Sequence, residues 1–276
     1  MQGYRSICEN RNGICYKIAR QRRQLDFDRK KFEYLILQWL NKNWTSSTNS
    51  FIPHLFPNIL PSLDLPQIAY VFIPGTENVY NDLKSSTIVD LAINLTSLHE
   101  VQAAVPKELI QKTQLLPVNL FEQEIKNYTI KGGLKVQALF AGYKQKLYEH
   151  ISTFEFKSKR GDDYKYFVHG DLKPQNLILK ADGKLSLIDF EDAYITEGVE
   201  LELALLFGNC MWTREQIELF TANYKVNMDR NLLNCYLLIK RFSKIAGDLN
   251  LEAQKERGEI SLNKLDGSFK SWHELF

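Results

Sequence analysis

The chain has 276 residues, a formal net charge of +2, 44% hydrophobic residues and 25% charged residues. This is ordinary globular composition, near the length at which one core divides into two, and the small net charge excludes a strongly basic nucleic-acid or membrane-surface binder. No run approaches eighteen apolar residues and the N-terminus has no apolar signal-peptide region, so a cytoplasmic protein with neither a nucleic-acid nor a membrane partner is expected.

Residues 7–18 read as a β-hairpin around Asn10-Arg11-Asn12-Gly13, with Lys17 near the end of its second strand. Over 27–40 the spacing of Phe32, Leu35, Ile36, Trp39 and Leu40 predicts an amphipathic helix. The basic side chains around its start, Arg20, Arg22, Arg23, Arg29, Lys30 and Lys31, read as a solvated face because acids are interspersed. Residues 41–66 are rich in Ser, Thr, Asn and Pro and read as loop, 68–73 as a strand ended by Pro74-Gly75. Helices are expected over 87–101, with Leu91, Leu95 and Leu98 on one face, and over 134–151, with a charged loop over 157–165. Further helices are expected over 200–207, after a capping box at Thr213-Arg214-Glu215-Gln216, and over 231–246. The last thirty or so residues are polar and uninformative. Cys8, Cys15, Cys210 and Cys235 show neither CxxC spacing nor adjacent histidines, which predicts reduced thiols and no zinc site.

The most informative run is Phe167-Val-His-Gly-Asp-Leu-Lys-Pro-Gln-Asn176, followed by two apolar segments, Asp182-Gly183 between them, and then Asp189-Phe190-Glu191. Asp-Gly is a strong signal for a two-residue hairpin turn. Such a turn would set 180 opposite 185, 177 opposite 188 and Asn176 opposite Asp189, with β-carbons about 5 Å apart. Beside Asp171, that pair offers hard oxygen ligands of the kind magnesium and phosphate chemistry uses.

His-x-Asp-Leu-x-x-x-x-Asn followed by a short hairpin and Asp-Phe resembles the protein-kinase-like catalytic core. Gly170 stands where protein kinases usually carry arginine, Asp-Phe-Glu stands for Asp-Phe-Gly, and no Ala-Pro-Glu triplet follows. These details resemble the aminoglycoside phosphotransferase and choline kinase branch, and the likeness runs through residues 166–193, 14–40 and 69–75. It implies an α+β, bilobal protein-kinase-like fold. A shortened β-rich nucleotide-binding lobe would span 1–73 and a mainly helical catalytic and acceptor-binding lobe 74–276. It also implies an ATP-dependent phosphotransferase using Mg2+, with a small-molecule hydroxyl acceptor and plausibly a monomer.

Carried onto this sequence, the resemblance makes Asp171 the group that takes the acceptor proton, and Asn176 and Asp189 the metal ligands. Lys17 would contact the α- and β-phosphates with Glu33 as its helix partner, and Lys173 would reach the γ-phosphate. Phe72 and Gly75 would flank adenine at the hinge. His169 is expected to support the loop and His99 to pack. The acids Glu191, Asp192, Glu197, Glu200, Glu202, Glu215 and Glu218 lean toward a cationic acceptor such as an aminoglycoside or an amino alcohol. Two alternatives stay open. Asp-Leu-Lys-Pro-x-Asn is the serine/threonine protein-kinase form, and the absence of G-x-G-x-x-G before Lys17 suits a non-catalytic kinase-like module.

Overall fold

The computed structural model describes residues 6–19, 24–44, 51–56, 61–62, 67–76, 83–101, 106, 116–131, 145, 148–149, 166–210 and 212–250. The helix expected over 134–151 lies outside these apart from Gln145, Tyr148 and Glu149, which are helical. So do the loop over 157–165, Arg20, Arg22, Arg23 and everything after 250.

The N-terminal part is a three-stranded antiparallel sheet in the order β1-β2-β3, with β1 Ser6–Arg11, β2 Ile14–Ala19 and β3 Gln67–Val71. Arg11 faces Ile14, so the first turn is Asn12-Gly13, with φ of 54° and 81°. Two positive φ values are the mirror-type turn whose twist matches a hairpin. Alternation along β2 buries Cys15, Lys17 and Ala19. Among the described residues, β1 precedes the lysine strand.

Helix α1, Gln24–Asn43, runs beyond both ends of its predicted span. Its buried face is Lys30, Glu33, Tyr34, Ile36, Leu37, Trp39 and Leu40, while Phe32 and Leu35 are only partly covered. The expected stripe is therefore rotated. Lys30 is not on a solvated face but 2% exposed, because α1 packs on the turn formed by Phe190–Asp192 and that turn presents an acid to it. Within the predicted loop that follows, Leu55 bridges Tyr70 of β3.

The C-terminal part is mainly helical: α2 Ser85–His99, α3 Pro117–Lys131, α4 Glu200–Asn209, α5 Arg214–Asn223 and α6 Arg230–Asn250. Leu91, Leu95 and Leu98 are fully buried on α2, as their spacing predicts. Helix α4 packs on α6, α2 on α5 and α3 on α6, around an aromatic cluster of Phe207, Trp212 and Phe220 with centroids 5.2–5.8 Å apart. The capping box is present: Thr213 Oγ1 accepts the Gln216 N–H at 3.3 Å and Gln216 Oε1 accepts the Thr213 N–H at 2.9 Å. Helix α3 has no counterpart in the sequence reading; its one terminal signal is Pro117 at the first helical position.

Between these parts lie two small hairpin-like pairs, β4 Tyr166–Val168 with β7 Tyr194–Thr196, and β5 Leu177–Leu179 with β6 Leu185–Leu187. Strands of three residues are too short for alternation to reveal, which is why β4 and β7 do not stand out in sequence. The β5–β6 register differs by one from the expected one. Leu177 faces Leu187, Lys180 N–H bonds the Lys184 carbonyl at 2.9 Å, and the loop is three residues, 181–183. Only Gly183 is left-handed, at φ 82°. Asp182 instead accepts the Lys184 N–H on its side chain at 3.0 Å, the arrangement of a type I turn closed by a glycine bulge.

Candidate active site

The catalytic loop leaves β4 at His169 and re-enters the fold through a 3₁₀ turn, Pro174–Asn176. Leu172 is fully buried beneath it. His169 Nδ1 accepts the Asp171 N–H at 3.2 Å, so its Nε2 carries the proton and donates to the Ile188 carbonyl at 2.8 Å. One buried imidazole thus ties the loop to the residue before Asp189, which is support and not proton transfer. Asn176 Nδ2 donates to the Asp171 carbonyl at 2.8 Å and to its carboxylate at 3.1 Å, so the amide oxygen is the atom able to face a cation. Lys173 Nζ lies 2.5 Å from Asp171 Oδ2, with side chains 37% and 31% exposed.

Gly170 sits at φ 82°, and a β-carbon there would lie 2.2 Å from the Asp192 carbonyl oxygen. Its N–H donates to Glu202 Oε1 at 2.9 Å. Behind it, His99 bonds the Tyr224 hydroxyl through Nδ1. The His99 Nε2 lies 3.0 Å from Glu202 Oε2, outside hydrogen-bond alignment. His99 therefore packs, as expected, and it does so by backing the loop's anchor.

Across from the loop is a buried network of charges. Lys17 Nζ contacts Glu33 Oε2 at 2.6 Å, Asp189 Oδ1 directly, and Glu191 Oε2 at 3.8 Å. Lys30 Nζ contacts Glu191 Oε2 at 2.9 Å and Glu33 Oε2 at 3.5 Å. Burial alone would lower the pKa of Lys17; Glu33, Asp189 and Glu191 outweigh it and hold the ammonium charged. Burial would raise Asp189, but Lys17, Lys30 and His169 bring it down to about 2. Glu191 is likewise lowered by Lys17 and Lys30 against its burial. Oxygens of Glu33, Asp189 and Glu191 come within 4.8 Å of one another, facing Lys17, Lys30 and, 3.9 Å from Glu191 Oε1, Arg29; Glu33 Oε1 is buried without a hydrogen-bond partner. Clustered carboxylate oxygens, one of them orphaned, fit a site that accepts a further cation.

The register shift sets Asn176 opposite Ile188, whose N–H donates to the Asn176 carbonyl at 3.0 Å, and not opposite Asp189. A plain strand would then send Asp189 to the other face. Asp189 is instead left-handed, at φ 72°, and this twist turns its carboxylate toward Lys17. Asp171, Asn176 and Lys173 thus form one group, and Lys17, Glu33 and Asp189 the other.

Between sheet and hairpin lies a cleft of about 240 Å³ lined by Cys8, Cys15, Tyr70, Phe72, Ile178 and Ile188, among others. Phe72 is on its wall, and its N–H bonds the Gly13 carbonyl at 2.8 Å. Gly75 is not on that wall. A β-carbon there would meet the Leu179 carbonyl at 2.5 Å, and Thr76 exchanges two 2.9 Å backbone bonds with Leu179. Gly75 lets the hinge lie flat on β5.

The acidic segment is largely committed elsewhere. Glu191 turns to Lys30, Glu200 accepts the Asp229 N–H at 2.8 Å, and Glu202 holds Gly170. Glu218 pairs with Arg214 at 2.7 Å on the surface of α5. Lys30 is the residue the sequence reading misses. Its position three before Glu33 on a helix was the available signal, since i and i+3 share a face.

Solved structures with the same architecture include spectinomycin phosphotransferase APH(9)-Ia in an AMP-bound complex, at 19% identity and TM-score 0.60, with 98% of this chain and 87% of that one covered. The choline kinase of Cryptosporidium parvum Iowa II gives 15% identity and TM-score 0.62, with 98% and 89% covered. The GDP complex of wild-type aminoglycoside 2'-phosphotransferase-IIIa gives 16% and 0.60, with 96% and 90% covered. No curated protein matches the chain. These likenesses establish an α+β, bilobal, protein-kinase-like fold. A family model described as phosphotransferase enzyme family matches residues 18–224, from the end of the lysine strand past α5. On that match, which takes in the catalytic loop, the hairpin and the Asp-Phe-Glu turn, the chain belongs to the phosphotransferase enzyme family.

Proposed function

We propose that the chain is an ATP-dependent kinase that transfers the γ-phosphoryl group to a hydroxyl of a small molecule. The observation that carries this reading is that Ile188, on the wall of the apolar cleft, is bonded to His169 and Asn176 of the Asp171 loop and immediately precedes Asp189, the partner of Lys17. Phosphoryl transfer asks mostly for positioning and charge stabilisation, and these groups supply both. Asp171 accepts the proton of the acceptor hydroxyl. Lys17, oriented by Glu33, takes the α- and β-phosphates, and Lys173 moves from Asp171 to the γ-phosphate. Phe72 packs on the base, and Gly75 holds the hinge beside it. Asn176 and Asp189 hold Mg2+, whose charge offsets that of the triphosphate oxygens. The lobe boundary falls near residue 73.

Related folds have been solved with AMP, ADP and GDP, which supports a nucleotide substrate. Spectinomycin, kanamycin and choline appear as acceptors or namesakes of those proteins, so an amino sugar or amino alcohol is the favoured acceptor. With Glu191, Glu200 and Glu202 turned inward and Glu218 paired with Arg214, Asp192 and the exposed Glu215 are the acids of this segment that would attract it. Among the described residues no helix is long and apolar enough to cross a membrane, and four free cysteines suit a reducing cytoplasm.

A screen of Mg-ATP consumption against amino sugars, amino alcohols and neutral polyols tests the reading. Turnover with one class and a substantially raised ATP KM in Lys17→Ala are expected. Phosphate on a general protein substrate and on no small molecule would favour the protein-kinase alternative. Absence of Mg-ATP binding at millimolar nucleotide would favour the non-catalytic module.

A further inference from the structure

Two thiols share the cleft and have no part in phosphoryl transfer. Cys8 lies opposite Lys17 in the β1–β2 register, and Cys15 precedes Lys17 by two residues. All three therefore project from one face of the sheet. Cys15 and Cys8 both line the cleft, with Tyr70 and Phe72 beside them. Cys15 is 6% exposed and Cys8 half-buried. The two thiols hydrogen-bond each other, and Tyr70 also bonds Cys15.

The pair is polarised. The bond from Cys8 lowers the Cys15 pKa most, burial opposes it, the Tyr70 bond and the Lys17 charge lower it further, and Glu33 raises it, with the result at about 7. Cys8, as the donor, is pushed far up. One sulfur is thus substantially thiolate at neutral pH and the other stays a thiol. Thiolate is the nucleophile in exchange with disulfides.

We propose that Cys15 is a reversible thiolation site inside the nucleotide cleft, which takes one half of a small disulfide of cysteamine or cysteine size and thereby excludes nucleotide. The second clause rests on the reading of this cleft as the nucleotide site. The Cys15 thiolate attacks one sulfur of the small disulfide. That S–S bond breaks as a new one forms to Cys15, and the expelled thiolate takes a proton from solvent. Cys15 is oxidised and the expelled half reduced. Cys8 stays a protonated thiol, its pKa pushed up by its bond to Cys15 and by burial, so it is a poor nucleophile for resolving the adduct. The adduct therefore persists until an external thiol removes it.

Cystamine is the probe, applied to the full chain near pH 7, with peptide mass mapping and Mg-ATP calorimetry before and after. We expect one adduct, on Cys15, prevented by excess Mg-ATP and removed by dithiothreitol. Nucleotide affinity should fall at least tenfold and recover on reduction. Cys15→Ser should take no adduct in the cleft, and its treated and untreated samples should titrate alike. Cys8→Ala should still be labelled at Cys15, with the pH midpoint of labelling moved from about 7 toward the ordinary thiol value of about 8.5. Labelling of Cys8, Cys210 or Cys235 with Cys15 untouched in the folded chain overturns the proposal. So does a Cys15 adduct that leaves Mg-ATP binding as it was. An untreated chain that binds no Mg-ATP sinks the kinase reading, while the mass map still decides whether Cys15 is the reactive thiol.

Discussion

The two groups of the candidate site are held in place by different means. On one side, Lys17, Lys30, Glu33 and Glu191 have side chains between 0% and 9% exposed, and charge positions charge. On the other, Asp171 and Lys173 are about one-third exposed, and the loop is fixed through its backbone by His169, Asn176 and Glu202. A buried ion loses several kcal/mol of compensation when its partner goes, whereas a carboxylate in water loses little. The first group should therefore answer substitution through stability, and the second through rate.

The sharpest test of that division is Asp171→Asn. It keeps size and polarity but cannot take a proton, so turnover should fall by roughly two to four orders of magnitude. Its melting temperature should stay near that of the parent, and a collapse there would break the comparison. Lys30→Met should do the reverse, costing about 3–5 kcal/mol in denaturant unfolding because Glu191 and Glu33 lose a buried partner. The double change Lys30→Met with Glu191→Gln should recover most of that loss; no recovery would mean that Lys30 acts through packing. Gly170→Ala probes the backbone side. A left-handed residue and a contact with Asp192 should together cost about 2–4 kcal/mol, with turnover falling as the loop shifts.

The smallest effect is on pH dependence. Asp189 is held at about 2, below its unfolded value of 3.8, so its contribution is complete above about pH 4 and is lost as pH falls toward 2. Its side chain is 27% exposed, which limits the loss to at most about 2 kcal/mol. Glu191 is shifted the same way and adds to the acid loss. Unfolding curves of Asp189→Asn and the parent should converge in this window, and parallel curves would place the acid sensitivity elsewhere.

Much of this was legible because it is local chemistry. Asn12-Gly13 declares its turn, Thr213 and Gln216 declare a helix start, and the loop from His169 to Asn176 declares its acid, amide and support. Asp182-Gly183 shows the limit. The same kind of dipeptide closes a three-residue loop there, because the Asp182 side chain caps the turn locally and only the glycine needs positive φ. A slip of one residue flips every side chain on a strand, and the left-handed backbone at Asp189 that restores its aim leaves no mark in the composition. Lys30 was missed for a related reason. Among Arg29, Lys30 and Lys31, charge alone cannot single out the one that meets Glu191, since that partner lies 161 residues away.

Gly170 also bears on which sequences this fold can reach. Glycine and arginine codons can differ by a single base, so the form of the motif usual in protein kinases lies one mutational step away. That step is closed here, because any β-carbon at this position strikes the Asp192 carbonyl. Crossing it requires the chain around residues 190–194 to have moved first. The two forms of the catalytic loop are thus separated by a change of backbone and not of side chain, and drift between them has to pass through a second site.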